Sequence, residues 1–134
     1  MFDGSTIPVL EQVVQFTQMR HGVLAGNIAN LDTPGYRTRD ISPEQFEKKL
    51  AAAISSRDSA ASVVSPGQDI SIDQAKLNEV GENLESILYH DESNVGLEQQ
   101  VAQIAKNQAQ HNLAIALMRQ QFSLLEAAIS ERVV

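Results

Sequence analysis

A chain of 134 residues with 43% apolar and only 4% aromatic content can form one domain, or one extended unit, around an aliphatic interior. Its formal net charge of −7 argues against nucleic-acid binding and against electrostatic docking on anionic lipid, and no run of about 18 apolar residues is present to insert into a membrane. Without cysteine, disulfides and thiolate metal sites are excluded, and Met1 to Pro8 lacks the basic-then-apolar pattern of a cleaved signal peptide.

The pattern predicts a first helix from about Pro8 to Leu31. Proline suits a first helical position, and Ser5 or Thr6 can cap before it. Leu10, Val14, Thr17, Leu24, Ile28 and Leu31 step by three and four along one seam, with His21 in the missing place. Val9, Val13, Phe16 and Val23 form a second apolar stripe beside it. Gly22 and Gly26 each cost about 1 kcal/mol relative to alanine in a helix interior, so they are either tolerated or admit another backbone close by.

The helix then meets Asn-Leu-Asp-Thr-Pro-Gly-Tyr. Thr33 precedes Pro34 and is pushed out of helical geometry. Pro34 and Gly35 suit the centre of a type II turn, with Gly35 at positive φ. Asn30 can cap the helix, and Asp32 can bond its own backbone two residues on. Tyr36 is placed to pack on Ile28 or Leu31. Asn27, Asn30, Asp32, Thr33, Pro34, Gly35 and Tyr36 are therefore expected to shape a sharp exit from the helix.

In the middle, Ser42-Pro43-Glu44-Gln45 reads as a capped helix start, with Phe46, Leu50 and Ile54 on one face as far as about Ser56. Arg57 to Asp69 is rich in Ser, Ala and Gly and reads as a loop. From Ile70 to His90 a helix over Gln74 to Glu85 and an extended chain both remain open.

A long last helix is predicted from about Asn94 to Arg132, capped by Ser93 or Asn94, with Glu98 in its first turn. Leu97, Val101, Ile104, Ile115, Met118, Phe122, Leu125 and Ile129 form a heptad seam, interrupted by Gln108 and His111. An antiparallel pairing with residue numbers summing to about 130 would set His21 beside Gln108 and His111 as a polar layer that fixes register. The alternative role for such a layer is a proton-linked switch. Ala102, Ala105, Ala109, Leu113, Leu117 and Leu124 make a second stripe, so each terminal helix is apolar on more than one side.

Charge is unevenly placed. Arg20 is the only fixed charge between Gln12 and Leu31, and Lys106 the only one between Gln99 and Met118. By contrast, 17 of the 27 charged residues fall between Arg37 and Glu92, so the middle is expected to face water and the ends to face protein. The expected class is mainly α: an antiparallel, coiled-coil-like hairpin of the terminal helices with a polar, partly irregular middle. The chain divides into 1–36, 37–92 and 93–134.

"NIANLDTPGYRTRD" resembles the signature of the flagellar axial rod and hook proteins, whose N-terminal helix ends in Asn-Ile-Ala-Asn before a Thr-Pro-Gly-Tyr turn. Asp91 to Ser130 is similar to the proximal-rod members in Asn94, Val95, Leu97 and Glu98; in Ala105, Lys106 and Asn107; in Phe122 and Leu125; and in Ala128, Ile129 and Ser130. Glu92, Gly96 and Gln100 depart from that pattern, and the likeness covers about 9 to 40 and 91 to 132. The resemblance implies a helical polymer in the periplasm-spanning rod of the bacterial flagellum, exported by the flagellar type III apparatus without a cleaved signal. Its implied partners are copies of itself and other rod and basal-body ring proteins.

Other chemistry finds little footing. There is no glycine-rich phosphate loop and no His-x-x-x-His pair, and His90, Asp91 and Glu92 are neighbours in sequence whose side chains point apart. No catalytic, metal or cofactor site is expected. A helical secretion chaperone or adaptor is the rival reading.

Overall fold

The computed structural model describes residues 6–63, 79–80, 88–90 and 96–131. Thr6 opens the first helix, α1, at Ile7–Ala29, and its carbonyl accepts the Leu10 N–H at 3.0 Å. Pro8 sits at the second helical position, where its missing N–H costs nothing because the first four amides have no intrahelical acceptor. The helix ends two residues earlier than its apolar pattern suggested. The Asn30 side chain donates to Gly26 O at 2.8 Å and its N–H shares the Gly26 and Asn27 carbonyls, which ends the ladder at that point.

The turn that follows is as its residues dictate. The Tyr36 N–H donates to Thr33 O at 3.2 Å, and Gly35 takes φ +75°, the left-handed value open to glycine at this turn position.

The chain next forms β1 at Arg39–Ile41, which pairs antiparallel with β2 at Leu88–His90: Arg39 opposite His90, Asp40 opposite Tyr89, Ile41 opposite Leu88. No strand was expected at Arg39–Ile41, whereas the sequence leaves an extended chain open at Leu88–His90. Three residues are too few for an alternating pattern to register.

Helix α2 runs Pro43–Val63. Ser42 caps it: its hydroxyl accepts the Gln45 N–H at 3.3 Å and donates to the Glu44 carboxylate at 3.0 Å. The helix passes the expected stop at Ser56 by two turns, so Arg57 to Val63 is helix rather than loop. The stretch is polar but holds no proline or glycine, and the Ser59 hydroxyl bonds back to Ser55 O at 2.8 Å instead of breaking the ladder. The proline-glycine stop at 66–67, the caps proposed at 93–94 and most of the proposed 74–85 helix lie outside the described residues; within that last span residues 79–80 are helical.

The last helix, α3, is Leu97–Glu131, started by the Gly96 carbonyl, which accepts Gln99 N–H at 3.1 Å and Gln100 N–H at 3.2 Å. At 1.5 Å per residue α1 and α3 are about 34 and 52 Å long. They pack antiparallel, Thr17 against His111 and Asn27 against Gln100, within one turn of the expected register. The protein is thus mainly α, with its long terminal helices paired.

The apolar core lies on the other side of α1. Phe16, Ile41, Phe46, Leu50, Ala53 and Val80 are buried together, with Val9, Val13, Met19, Val23 and Ile54 packed around them. Phe16 and Phe46 stack with centroids 4.1 Å apart and planes 8° from parallel, joining α1 to α2. The second stripe of α1 therefore packs on the chain's own middle segment, where α2 presents Phe46, Leu50 and Ala53 at helical spacing to meet it.

Candidate assembly surface

Four levels of side-chain hydrogen bonds hold α3 to α1. Nearest the turn, Asn27 is fully buried, and its amide uses all four of its bonding positions. Nδ2 donates to Arg39 O and to Gln100 Oε1, while Oδ1 accepts Arg39 N–H at 3.0 Å and the Tyr36 hydroxyl at 3.0 Å. One side chain thus binds β1 as a neighbouring strand would, fastens the turn and meets α3. Tyr36 reaches Asn27 by its hydroxyl, a polar contact where an apolar one with Ile28 or Leu31 was expected. Asp32, Thr33, Pro34 and Gly35 stand exposed, and Asn30 is half-buried at the helix end.

Two turns back along α1, Arg20 is buried and forks onto Asp40, Nε to Oδ1 and Nη2 to Oδ2, both 2.9 Å; Nη2 also reaches Gln103 Oε1 at 3.0 Å. This charge, the only fixed one between Gln12 and Leu31, is neutralised by Asp40 of β1. Beside it the Glu44 carboxyl is held below its ordinary range, first by a backbone hydrogen bond, then by the Ser42 hydroxyl, with a smaller contribution from the Arg20 charge.

Next, Asn107 is buried and donates Nδ2 to Thr17 O at 2.7 Å. Among the described residues its Oδ1 has no partner, a cost of about 1–3 kcal/mol for a dry amide oxygen, and Gln12 Oε1 and Arg39 Nε are likewise buried without one. Finally, Thr17 Oγ1 lies 2.9 Å from Val13 O, 3.0 Å from Val14 O and 2.8 Å from His111 Nδ1. The contact ties the His111 ring on α3 to Thr17 on α1 at this level.

This ladder sets the rotation of α3. Its buried edge is Gln100, Asn107 and Ala114, spaced by seven. The heptad seam read from the sequence is centred roughly 60° away around the helix. Ile104, Ile115, Met118 and Leu125 stand half-buried at the border of the contact, while Leu97, Val101, Phe122 and Ile129 are 53%, 51%, 49% and 57% exposed. On α1, Leu24 is buried and Leu10, Val14 and Ile28 are half-buried, as is Leu31 in the turn beyond it. Of the polar layer, His111 makes the Thr17 contact, whereas His21 and Gln108 are exposed at the rim of a cavity shared with it. Asn107, Gln100, Gln103 and Arg20 carry the inter-helix bonds, so the charge-poor stretches of the terminal helices, expected to face protein, meet each other within the chain. Their signal was present: an isolated arginine and a run of amides on otherwise charge-poor helices.

The outer faces are unfilled. Leu113, Leu117 and Leu124 of the second stripe are 59%, 41% and 58% exposed. A Cβ added at Gly22 or Gly26 would meet nothing within 4 Å, so no backbone of this chain approaches them among the described residues. No described helix is long and apolar enough to cross a membrane.

Fold and surface together define a helical protein with a polar internal seam and an apolar, charge-poor exterior on its longest helix. Among curated proteins the chain is similar to the flagellar basal body rod protein FlgB of Aquifex aeolicus (strain VF5), 46% identical over 35 residues. That stretch covers 26% of this chain and 28% of the relative. No protein-family model and no solved structure matches.

Proposed function

We propose that this chain is a structural subunit of the proximal rod of the bacterial flagellum, polymerising through its terminal helices into a shaft that carries torque without chemistry. Its partners would be copies of itself and other rod and basal-body ring proteins, reached after export through the flagellar type III apparatus. The observation that carries the reading is the outer side of α3, where seven large apolar side chains stay exposed while Gln100 and Asn107 are buried. A lone soluble molecule gains nothing from that arrangement, whereas a subunit surrounded by others buries the stripe. The partial likeness to FlgB and the exposed Thr-Pro-Gly turn support the same assignment.

Leu97, Val101, Phe122 and Ile129 would be the contacts to neighbours. Leu10, Val14, Leu24, Ile28, Leu31, Ile104, Ile115, Met118 and Leu125 would support them from the hairpin. The test is Phe122→Asp, which places a charge on an exposed site and leaves the hairpin intact. A flagellated strain carrying only this variant of the gene is expected to lose rod assembly and motility while the purified variant keeps the wild-type helical circular dichroism. Normal motility would contradict the assignment. A purified chain that forms a closed, protease-resistant dimer would favour the chaperone reading.

A further inference from the structure

Ile115, Phe122 and Ile129 recur at heptad intervals along one side of α3. Arg119 and Glu126 stand on that same side, one turn before Phe122 and one turn after it. Both charges are exposed, and neither forms an ion pair among the described residues. They stand about 10 Å apart along the helix axis. Phe122 thus has a positive charge on one flank and a negative charge on the other, with an isoleucine one heptad away in each direction.

That pattern selects a partner and its direction. A second α3 laid alongside in the same direction would set Arg119 against Arg119 and Glu126 against Glu126. Laid antiparallel about Phe122, it sets each arginine against the other copy's glutamate, Phe122 against Phe122, and Ile115 against Ile129. Such charge complementarity fixes orientation, while affinity comes from apolar area: Phe122 and Ile129 are 49% and 57% exposed in the single chain. The length of α3 leaves room for the pairing. Thr17 is level with His111, so α1 begins near residue 121, and in the antiparallel pair that level falls about opposite residue 124 of the other copy. The two α1 helices then meet end to end without overlapping, and about 17 residues of each α3 lie side by side.

We propose that a second copy of this chain covers this face, in an antiparallel two-fold pair of α3 helices centred on Phe122. The pair hides Phe122 and Ile129, which the rod reading assigns to neighbours, so it is a soluble form that opens before those contacts are made. It overlaps at one end of α3 alone and leaves Leu97, Val101, Leu113 and Leu117 of each copy outside, unlike the closed dimer of a chaperone. The charge pattern and the overhang of α3 carry the inference, and the rod reading does not enter it.

The experiment is sedimentation equilibrium of the purified full chain at low ionic strength, with circular dichroism as the check on folding. A reversible monomer–dimer equilibrium is expected. Arg119→Glu and Glu126→Arg each turn two attractive contacts into two repulsive ones and should each weaken the dimer about tenfold. The double variant, Arg119→Glu with Glu126→Arg, restores complementarity and should return to within about twofold of the wild type. Both positions are exposed, so every variant should keep the wild-type helical spectrum. In a parallel pair each residue faces its own kind, and no reversal would change the affinity. A chain that is monomeric at every concentration, single reversals without effect, or a double variant as weak as the singles would each overturn the proposal. Any of these results, with rod assembly still lost in Phe122→Asp, would leave the rod reading standing.

Discussion

Asn27 illustrates how much of this fold rests on single polar side chains. A leucine there would fill space but strand the N–H and C=O of Arg39 and the Tyr36 hydroxyl. At about 1 kcal/mol for each hydrogen bond, and more where the lost partner stays dry, Asn27→Ala is expected to cost about 3 kcal/mol or more. Urea denaturation checks the magnitude, and loss of amide-exchange protection at Arg39 checks the place. The Arg20–Asp40 fork behaves differently. Its side chains are 6% and 16% exposed, so removing one partner leaves a charge in a dry setting. Asp40→Ala should cost about 3–5 kcal/mol, whereas Arg20→Met with Asp40→Leu should recover much of that loss. A double-mutant cycle in urea measures both, and equal losses for the single and double variants would refute the account.

Elements in this protein differ in how they declare themselves. Helix α1, its exit turn and α3 were legible because long apolar periods, Pro34 and Gly35 are strong local signals, and the antiparallel pairing of the ends followed from them. The length of α2 was not, since Arg57 to Val63 has neither an apolar period nor a breaker. The β1–β2 pair was not, since register between three-residue strands comes from tertiary packing. The rotation of α3 was misread for a different reason: hydrophobic periodicity was taken to choose the contact face, whereas Thr17, Arg20 and Asn27 choose it by hydrogen bonds. The Ser42 cap of α2 offers a test at this scale. Ser42→Ala is expected to cost about 1 kcal/mol and to move the Glu44 titration up toward its ordinary range. Because the folded state holds that carboxyl low, its contribution is present at neutral pH and fades as pH falls through the folded value. Glu44 is exposed, so the effect on global stability is small, and a nuclear magnetic resonance titration of its side chain is the measurement that sees it.

At the scale of the whole molecule, α3 buries Gln100 and Asn107 while Leu97, Leu113, Leu117 and Leu124 stay exposed, and charge is scarce on both terminal helices. With Thr17 level with His111, Ile7 lies near residue 121, so the last 10 residues or so of α3 run about 15 Å past the start of α1. Phe122, Leu124 and Ile129 stand exposed on that overhang. Contacts made by such a surface have a distinctive response to solvent. Ion pairing weakens as salt screens it, whereas burial of apolar area strengthens when an excluded salt such as sulfate is added. Self-association of the purified chain is therefore expected to be nearly indifferent to sodium chloride and to increase with sodium sulfate, as read by sedimentation velocity. Phe122→Asp should suppress it in both. Association that dissolved on adding sodium chloride would mean that the charged middle segment, carrying Glu44, Glu47, Lys48 and Lys49 on α2, makes the contacts, and that the outer stripe of α3 faces water in the assembly as well as in the single chain.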